Sequence, residues 1–179
     1  MKKANELATQ NGWYQLAQFD NPANTEIHRR TTAIEVMQQI PDLDAFVSGV
    51  GTGGTITGVG EVLKNINKNI YIVAVEPENS AVLSGGIAGP HKIQGIGAGI
   101  IPSILNTKIY DEVIKVTNEE SYEWARKLAK EEGIFVGISS GAAFAAAQKV
   151  AKKLGRGKKV VVILPDCGER YLSTVLFGE

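Results

Sequence analysis

The chain has one cysteine, two histidines and no surplus of charge of either sign, and each scarcity excludes a class of function. Cys167 has no second cysteine to pair with, so an intrachain disulfide is excluded and a reducing compartment is expected. Nineteen basic residues balance nineteen acidic ones, which gives no electrostatic reason to expect a nucleic acid or an anionic membrane as partner. His28 and His91 lack metal-ligand spacing to each other and to Cys167, so no metal site is predicted.

Long apolar runs are also missing from the sequence. No run approaches the length needed to span a bilayer, and the basic start of the chain is not followed by the apolar core of a signal peptide. We therefore expect a cytoplasmic protein with no membrane partner. Glycine, by contrast, is abundant: twenty glycines among 179 residues predict tight turns or close contacts between the backbone and a ligand.

Strand-like and helix-like segments alternate along most of the chain. Four apolar runs predict strands, at 45–49, 71–75, 112–116 and 159–164. Helices are predicted between them, at 54–66, 118–132 and 139–154, and Thr117 with Glu120 is predicted to form a capping box at the start of the second. This alternation is typical of a parallel sheet with helices on both faces.

Two further helices are predicted before the first strand. Residues 1–11 have helical periodicity, and Asn24 is expected to cap a helix that continues to about Ile40. Ile27 and Ile34 are expected to be buried in this second helix. Residues 83–106 form a long stretch with glycine and proline and without clear periodicity, and loops of that length in a domain are usually functional.

The segment 48–55 reads Ser-Gly-Val-Gly-Thr-Gly-Gly-Thr and lies between a predicted strand and a predicted helix. Glycines let the backbone approach an anion, and the N–H groups of such a loop and of the helix start point at it. The segment therefore predicts a site for a phosphate group.

Two interpretations of this phosphate site remain open from the residues alone. Gly49, Gly51 and Gly54 fit the dinucleotide-binding pattern G-x-G-x-x-G, and Glu76 ends the next strand 22 residues after Gly54, where that fold places a ribose-binding acid. Alternatively, residues 51–55 form a cup for a single phosphomonoester, because two threonine hydroxyls add to the backbone donors there.

Near the C-terminus, a second candidate site and several ordinary turn residues are expected. Ser139 lies at a strand-to-helix junction, where it could cap the helix or turn its hydroxyl toward a ligand. Cys167 is expected to be a small buried residue. Asp166, Glu169 and Arg170 are expected to make local turn contacts.

Five sequence blocks, in their order and spacing, closely resemble the cysteine synthase (O-acetylserine sulfhydrylase) family of fold-type II pyridoxal-phosphate enzymes. They are Gln-Phe-Asp-Asn-Pro-Ala-Asn at 18–24, Gly-Thr-Gly-Gly-Thr at 51–55, Pro-His-Lys-Ile-Gln-Gly-Ile-Gly-Ala-Gly at 90–99, Gly-Ile-Ser-Ser-Gly-Ala-Ala at 137–143 and Pro-Asp-Cys-Gly-Glu-Arg-Tyr-Leu-Ser-Thr at 165–174. The resemblance covers essentially the whole chain.

The resemblance implies an α/β fold with a three-layer parallel sheet, which is the large C-terminal domain of the tryptophan synthase β-like fold, incomplete at its N-terminus. Residues 1–16 would be a remnant of the smaller N-terminal domain, and residues 17–179 would form the larger, cofactor-phosphate-binding domain. The family's Schiff-base lysine and its substrate-carboxylate loop lie upstream of every block matched here. The chain is therefore expected to be a C-terminal piece, inactive alone, with no catalytic residue of its own.

The resemblance also implies a cofactor and a substrate site. Pyridoxal phosphate would be held at its phosphate by a run of five residues, Gly51, Thr52, Gly53, Gly54 and Thr55. Ser139 would hydrogen-bond the pyridine nitrogen of the cofactor. Gln18 would help to bind the substrate α-carboxylate, and Gly95 would line the substrate channel.

The implied reaction is a β-replacement in cysteine biosynthesis that converts O-acetyl-L-serine and sulfide to L-cysteine and acetate. The implied assembly is a homodimer, and the C-terminal tail of serine acetyltransferase is a further implied partner. Two other functions stay open: an NAD-binding oxidoreductase domain that uses Gly49, Gly51, Gly54 and Glu76, and a non-catalytic module that binds the serine acetyltransferase tail.

Overall fold

A four-stranded parallel sheet lies between two layers of helices in the computed structural model of the chain, which describes residues 2–178. Met1 of the predicted first helix and Glu179 of the predicted larger domain lie outside the described residues. The strands are β1 (Ala45–Gly49), β2 (Tyr71–Pro77), β3 (Glu112–Val116) and β4 (Val160–Val162). The helices are α1 (Lys2–Asn11), α2 (Pro22–Arg30), α3 (Thr32–Gln39), α4 (Gly54–Ile66), α5 (Asn118–Lys127) and α6 (Ile138–Leu154).

The strands lie in the order β3-β2-β1-β4, and every pairing is parallel. In the central pair, Ala45 lies opposite Tyr71, and Gly49 lies opposite Val75. β1 and β2 are buried on both faces, as is usual where helices cover a parallel sheet on either side. The predicted fold class is therefore confirmed.

Successive side chains of the strands point into two separate cores. One core contains the side chains that β1 and β2 direct toward α5 and α6, with Val47 and Val73 among them. The other contains the side chains directed toward α3 and α4, with Phe46 and Ile72 among them. Burial of these apolar side chains stabilises the sheet by roughly 1.5–3 kcal/mol for each large residue removed from water.

The start of α5 matches its prediction. Thr117 and Glu120 form a capping box, in which the Thr117 hydroxyl accepts from the Glu120 N–H at 3.1 Å and the Glu120 carboxylate accepts from the Thr117 N–H at 2.9 Å. The helix then widens into a π-helical turn over Leu128–Glu132, and Gly133 ends it in the left-handed conformation. The predicted 118–132 helix is thus confirmed with an altered last turn.

The predicted single helix from Asn24 to Ile40 is wrong. Asn21 is the cap, because its side chain accepts from the Ala23 N–H at 3.0 Å, and Pro22 occupies the first helical position, where its missing N–H costs nothing. The helix breaks at Thr31, and α3 begins at the next residue.

Three other expectations also differ from the structure. Ile27 and Ile34 are exposed rather than buried, since Thr25 and Ala33 face the interior instead. The strand predicted at 159–164 is confined to the three residues of β4. Cys167 is exposed rather than buried.

Residues 3–16 lie outside both cores. None of residues 3–11 is buried, and Trp13, Tyr14 and Leu16 are 63%, 84% and 72% exposed. Among the described residues, no helix is long and apolar enough to cross a membrane.

α2 packs closely against the first two turns of α4 because α4 has glycines on that side. A Cβ atom on Gly58 would lie 2.5 Å from the Thr25 carbonyl oxygen and 2.8 Å from the His28 Cβ. A Cβ atom on Gly54 would lie 2.0 Å from the Asn24 side-chain oxygen. An alanine at Gly58 would therefore push the two helices apart, whereas one at Gly54 would displace the Asn24 amide.

This packing can be tested by adding one methyl group at Gly58. We expect Gly58→Ala to lower the free energy of unfolding by about 1–2 kcal/mol, because overpacking against backbone outweighs the gain in helix propensity. Chemical denaturation of the purified chain measures the change. Asn65→Ala, at an exposed position of the same helix, is the matched control and should be neutral or slightly stabilising. Equal stabilisation by both substitutions would contradict the close packing.

Candidate functional site

A cavity of about 460 Å³ opens at the carboxyl end of β1, where ligands of parallel α/β sheets usually bind. Its walls come from the turn before α2, the end of β1 with the loop that leads to α4, the 90–99 segment and Pro165, three residues after β4. The lining residues are Gln18, Phe19, Gly49, Gly51, Thr52, Gly53, Thr55, Gly95, Ile96, Ala98 and Pro165.

Two glycines of the 51–55 loop approach their neighbours so closely that a side chain is excluded at both positions. A Cβ atom on Gly51 would lie 2.5 Å from the Gly95 carbonyl oxygen, and one on Gly53 would lie 2.8 Å from the Leu105 Cβ. Gly53 also has φ +82°, in the left-handed region that favours glycine. The glycines are required because the backbone itself forms the wall of the cavity.

The start of α4 leaves donors free to face the cavity. Gly53 is the cap residue of this 13-residue helix and has no side chain to cap it, and within the first turn the Gly54 N–H approaches Thr52 Oγ1 at 3.3 Å. The N–H groups there carry the positive end of the helix dipole. Thr52 and Thr55 line the same cavity, whereas no charged side chain of the described residues does.

These features fit a phosphate group. Backbone N–H groups, a helix N-terminus and two hydroxyls are donors that can surround one phosphate dianion, and the side-chain-free wall lets it come close to the backbone. We call residues 51–55 the phosphate cup below. Its donor set is that of a single-phosphate site.

The predicted substrate residue Gln18 lies on the other wall of the cavity, in a tight turn. Ala17 has φ +47°, which is rare for a residue with a side chain. Its carbonyl oxygen accepts from the N–H groups of Asp20 and Asn21, both at 2.8 Å. This strained turn places Gln18 and Phe19 on the cavity wall, and such strain is often found at functional sites.

The 90–99 segment adjoins the phosphate cup, since a Cβ atom on Gly51 would lie 2.5 Å from the Gly95 carbonyl oxygen. The Gly97 N–H donates to the Val50 carbonyl oxygen at 3.0 Å, and the Gly97 oxygen accepts from His91 Nε2 at 2.9 Å. Gly95, the predicted channel residue, therefore lines the same cavity as Gln18 and the phosphate cup.

Ser139 and Ser140 are neighbours in the first turn of α6, yet their hydroxyls differ in their contacts. Gly137 caps the helix, so neither serine does. Ser140 is fully buried and donates to a carboxylate oxygen of Asp166 at 2.8 Å. Ser139 makes no side-chain hydrogen bond with another described residue, and its Oγ would lie 3.4 Å from a Cβ on Gly95.

Asp166 also accepts from the Tyr171 hydroxyl. Burial, and then the bond to the Asp166 carboxylate, raises the pKa of Tyr171 to about 12. The group therefore keeps its proton and remains a donor at neutral pH. The contact of Asp166 with Tyr171 is local, as expected, but its contact with Ser140 spans 26 positions and fixes the start of α6.

Glu76 is held within the protein. It is 1% exposed, and its carboxylate accepts from the Leu83 N–H at 2.8 Å, from the Ser84 N–H at 3.1 Å and from the Ser84 hydroxyl at 2.5 Å. This internal role leaves the dinucleotide interpretation of Gly49, Gly51 and Gly54 without its ribose-binding acid.

Two residues behind the phosphate cup were missed as site residues. Asn24 donates to the Thr52 hydroxyl oxygen at 2.9 Å, and His28 Nε2 lies 3.2 Å from the Thr55 hydroxyl oxygen. Their four-residue spacing, which puts both on one helix face, was the available signal. No cluster of metal-ligating side chains occurs within residues 2–178.

Comparison with known proteins identifies relatives over nearly the whole chain. The family model described as "Pyridoxal-phosphate dependent enzyme" matches residues 1–166. Cysteine synthase of Staphylococcus aureus strain Mu50 is 59% identical over 180 aligned positions, which are 99% of this chain and 58% of that protein. The chain thus spans a little over half the length of the curated relatives it matches.

Solved structures agree with this match. Cysteine synthase from Entamoeba histolytica has a TM-score of 0.94 at 47% identity, over 98% of this chain and 53% of that one. The O-acetylserine dependent cystathionine beta-synthase from Helicobacter pylori has a TM-score of 0.93 at 42% identity, over 99% and 58% of the two chains. These matches confirm the resemblance predicted from the sequence.

The contrast between Ser139 and Ser140 predicts different costs of removing each hydroxyl. Ser140→Ala should lower the free energy of unfolding by about 1–3 kcal/mol, because Asp166 loses a buried donor. Ser139→Ala is the matched control in the same helical turn and should change it by no more than about 0.5 kcal/mol. Thermal or urea unfolding of the unliganded chain measures both changes. A larger loss of unfolding free energy for Ser139→Ala than for Ser140→Ala would contradict the structural role of the Ser140 hydroxyl.

Proposed function

Because the chain belongs to the family of pyridoxal-phosphate dependent enzymes, we propose that it is the cofactor-phosphate-binding part of a cysteine synthase. The proposed reaction is the β-replacement that converts O-acetyl-L-serine and sulfide to L-cysteine and acetate. The observation that carries the proposal is the phosphate cup, which shares one cavity with the proposed substrate residues Gln18 and Gly95.

The proposed cofactor contacts follow from the donors around the cavity. The phosphate group would be bound by Gly51, Thr52, Gly53, Gly54 and Thr55. When bound, pyridoxal phosphate supplies an electron sink for the bonds at the substrate α-carbon. The Ser139 hydroxyl, which has no other side-chain partner among the described residues, would hydrogen-bond the pyridine nitrogen. A neutral hydroxyl leaves that nitrogen less protonated than a carboxylate would, which favours elimination at the β-carbon.

The proposed substrate contacts lie across the cavity. The Gln18 side chain is an uncharged donor that can bind the α-carboxylate of an amino acid. Gly95 leaves the channel open, since it has no side chain and φ +96°. The name of the Helicobacter pylori neighbour states that it depends on O-acetylserine, which supports this amino acid as the substrate.

The division of the chain and its assembly are also proposals. Residues 1–16 would belong to the smaller domain, since residues 3–16 add no side chain to either core, and residues 17–179 would belong to the larger one. The family's Schiff-base lysine matches no residue of this sequence, so turnover would require the part of the enzyme that carries it. The whole enzyme would be a cytoplasmic homodimer, with the serine acetyltransferase tail as a second partner.

Calorimetric titration of the 179-residue chain with pyridoxal phosphate tests the proposed cofactor site. We expect binding, and we expect Thr52→Ala with Thr55→Ala to weaken it at least about tenfold, because hydrogen bonds to a charged group contribute about 1.5–3 kcal/mol each. Thr107→Ala, which changes an exposed threonine far along the chain, is the matched control and should not alter the affinity.

Titration of the same chain into NADH, followed by NADH fluorescence, distinguishes the proposed function from the alternative of an NAD-binding oxidoreductase domain. A dinucleotide-binding domain would change NADH fluorescence and bind pyridoxal phosphate no better than its threonine variants do. That pair of results would overturn the proposal.

A further inference from the structure

Behind the phosphate cup, α2 presents two polar side chains one helical turn apart. Asn24 contacts Thr52, and His28 contacts Thr55, two threonines that line the cavity. Neither Asn24 nor His28 lines the cavity. Gly58 makes these contacts possible, since a side chain there would meet the α2 backbone, and Gly54 leaves room for the Asn24 amide.

The bonds of Asn24 determine where the Thr52 proton can go. The Asn24 amide nitrogen donates to the Gln18 carbonyl oxygen and to Thr52 Oγ1, both at 2.9 Å. The Gly54 N–H also approaches Thr52 Oγ1, at 3.3 Å. Because the Thr52 oxygen is an acceptor in these contacts, its own proton is free to be donated to a group in the cavity.

His28 lies between two threonine hydroxyls. Its Nδ1 is 2.9 Å from Thr32 Oγ1, and its Nε2 is 3.2 Å from Thr55 Oγ1. Burial lowers the pKa of the His28 imidazole below its usual value, so the ring is neutral at neutral pH. In a neutral ring one nitrogen donates and the other accepts.

Two hydrogen-bond arrangements satisfy this neutral ring, and only one serves an anion. If Nε2 carries the proton, it donates to Thr55, Thr32 donates to Nδ1, and the Thr55 proton is free for the cavity. If Nδ1 carries the proton, the Thr55 hydroxyl must donate to Nε2, and its proton is directed away from the cavity. A phosphate in the cup therefore selects the first arrangement.

We propose that His28 and Asn24 are positioning residues for the phosphate cup, which hold the oxygens of Thr55 and Thr52 from behind so that both hydroxyl protons are donated to the phosphate. This inference rests on the proposed function, because it concerns how the same cup binds the phosphate of pyridoxal phosphate. Neither residue touches the ligand. Asn24 also links the cup to the Gln18 turn through its second hydrogen bond.

Two substitutions at His28 separate its two hydrogen bonds. The amide of His28→Gln reaches the place of Nε2 and keeps a donor to Thr55, whereas the amide of His28→Asn reaches only the place of Nδ1. We expect His28→Asn to weaken pyridoxal phosphate binding about threefold to tenfold, the effect of one misdirected hydrogen bond, and His28→Gln to restore most of the affinity. Pyridoxal, which lacks the phosphate, should bind all three proteins equally.

A double-mutant cycle tests whether His28 acts through Thr55. In a Thr55→Val background, where no hydroxyl remains to be oriented, His28→Asn should cause no further loss of pyridoxal phosphate affinity. The same cycle applies to Asn24→Ala in a Thr52→Val background. Additive losses in both cycles would show that the residues affect binding by another route and would overturn the inference. Thermal melts of the unliganded variants separate loss of folding from loss of affinity.

The histidine tautomer gives a readout that a purely structural role would not change. The chain has only two histidines, so their ring nitrogens are resolved in a ¹⁵N NMR spectrum. His91 is an internal reference, because its Nε2 donates to the Gly97 carbonyl oxygen at 2.9 Å. Saturation with inorganic phosphate should place the His28 proton on Nε2. A His28 proton that stays on Nδ1 at saturation would overturn the inference.

The outcomes also separate this inference from the proposed function. If the unmodified chain does not prefer pyridoxal phosphate to pyridoxal, the cup does not bind phosphate, and the proposed function fails with the inference. If the preference exists and His28→Asn keeps it in full, the inference alone is wrong.

Discussion

The close contact between α2 and the start of α4 is the interaction on which the rest of the site depends. Gly54 and Gly58 allow the two helices to approach until backbone and side-chain atoms of α2 occupy the space of their missing side chains. This approach brings the polar face of α2 to the back of the phosphate cup. It also carries the turn that contains Gln18 to the cavity, because that turn leads directly into α2.

The fold was largely predictable from the sequence, because parallel strands buried on both faces are apolar along their whole length. β1 and β2 could be located in that way, and the capping box at Thr117 located α5. Helix boundaries were harder to predict. Asn21 and Asn24 are equally good cap residues by type, and the choice between them depends on Asn24 being drawn to Thr52, 28 positions away.

The site was predictable where a local sequence pattern indicates it. Glycine and threonine at 51–55 indicate a phosphate cup on local grounds, and the resemblance to a family added roles for Gln18, Gly95 and Ser139. The support behind the cup was not visible, because the contact of His28 with Thr55 depends on how two helices pack. At Glu76 the sequence suggested a site residue where the structure has none. Its position fits the dinucleotide-binding motif, but its carboxylate accepts hydrogen bonds from the N–H groups of residues 83–84.

The loop between β2 and β3 contains no strand and no α-helix, yet hydrogen bonds attach it to the sheet layers along its length. Glu76 holds Leu83 and Ser84, Asn118 accepts from the Lys92 N–H at 2.9 Å, and Thr57 accepts from the Asn106 N–H at 3.0 Å. Amide protons at these anchors would exchange with solvent as slowly as those of regular elements, whereas the amides between them would exchange quickly. The segment between β2 and β3 would therefore combine fixed points with mobile spans.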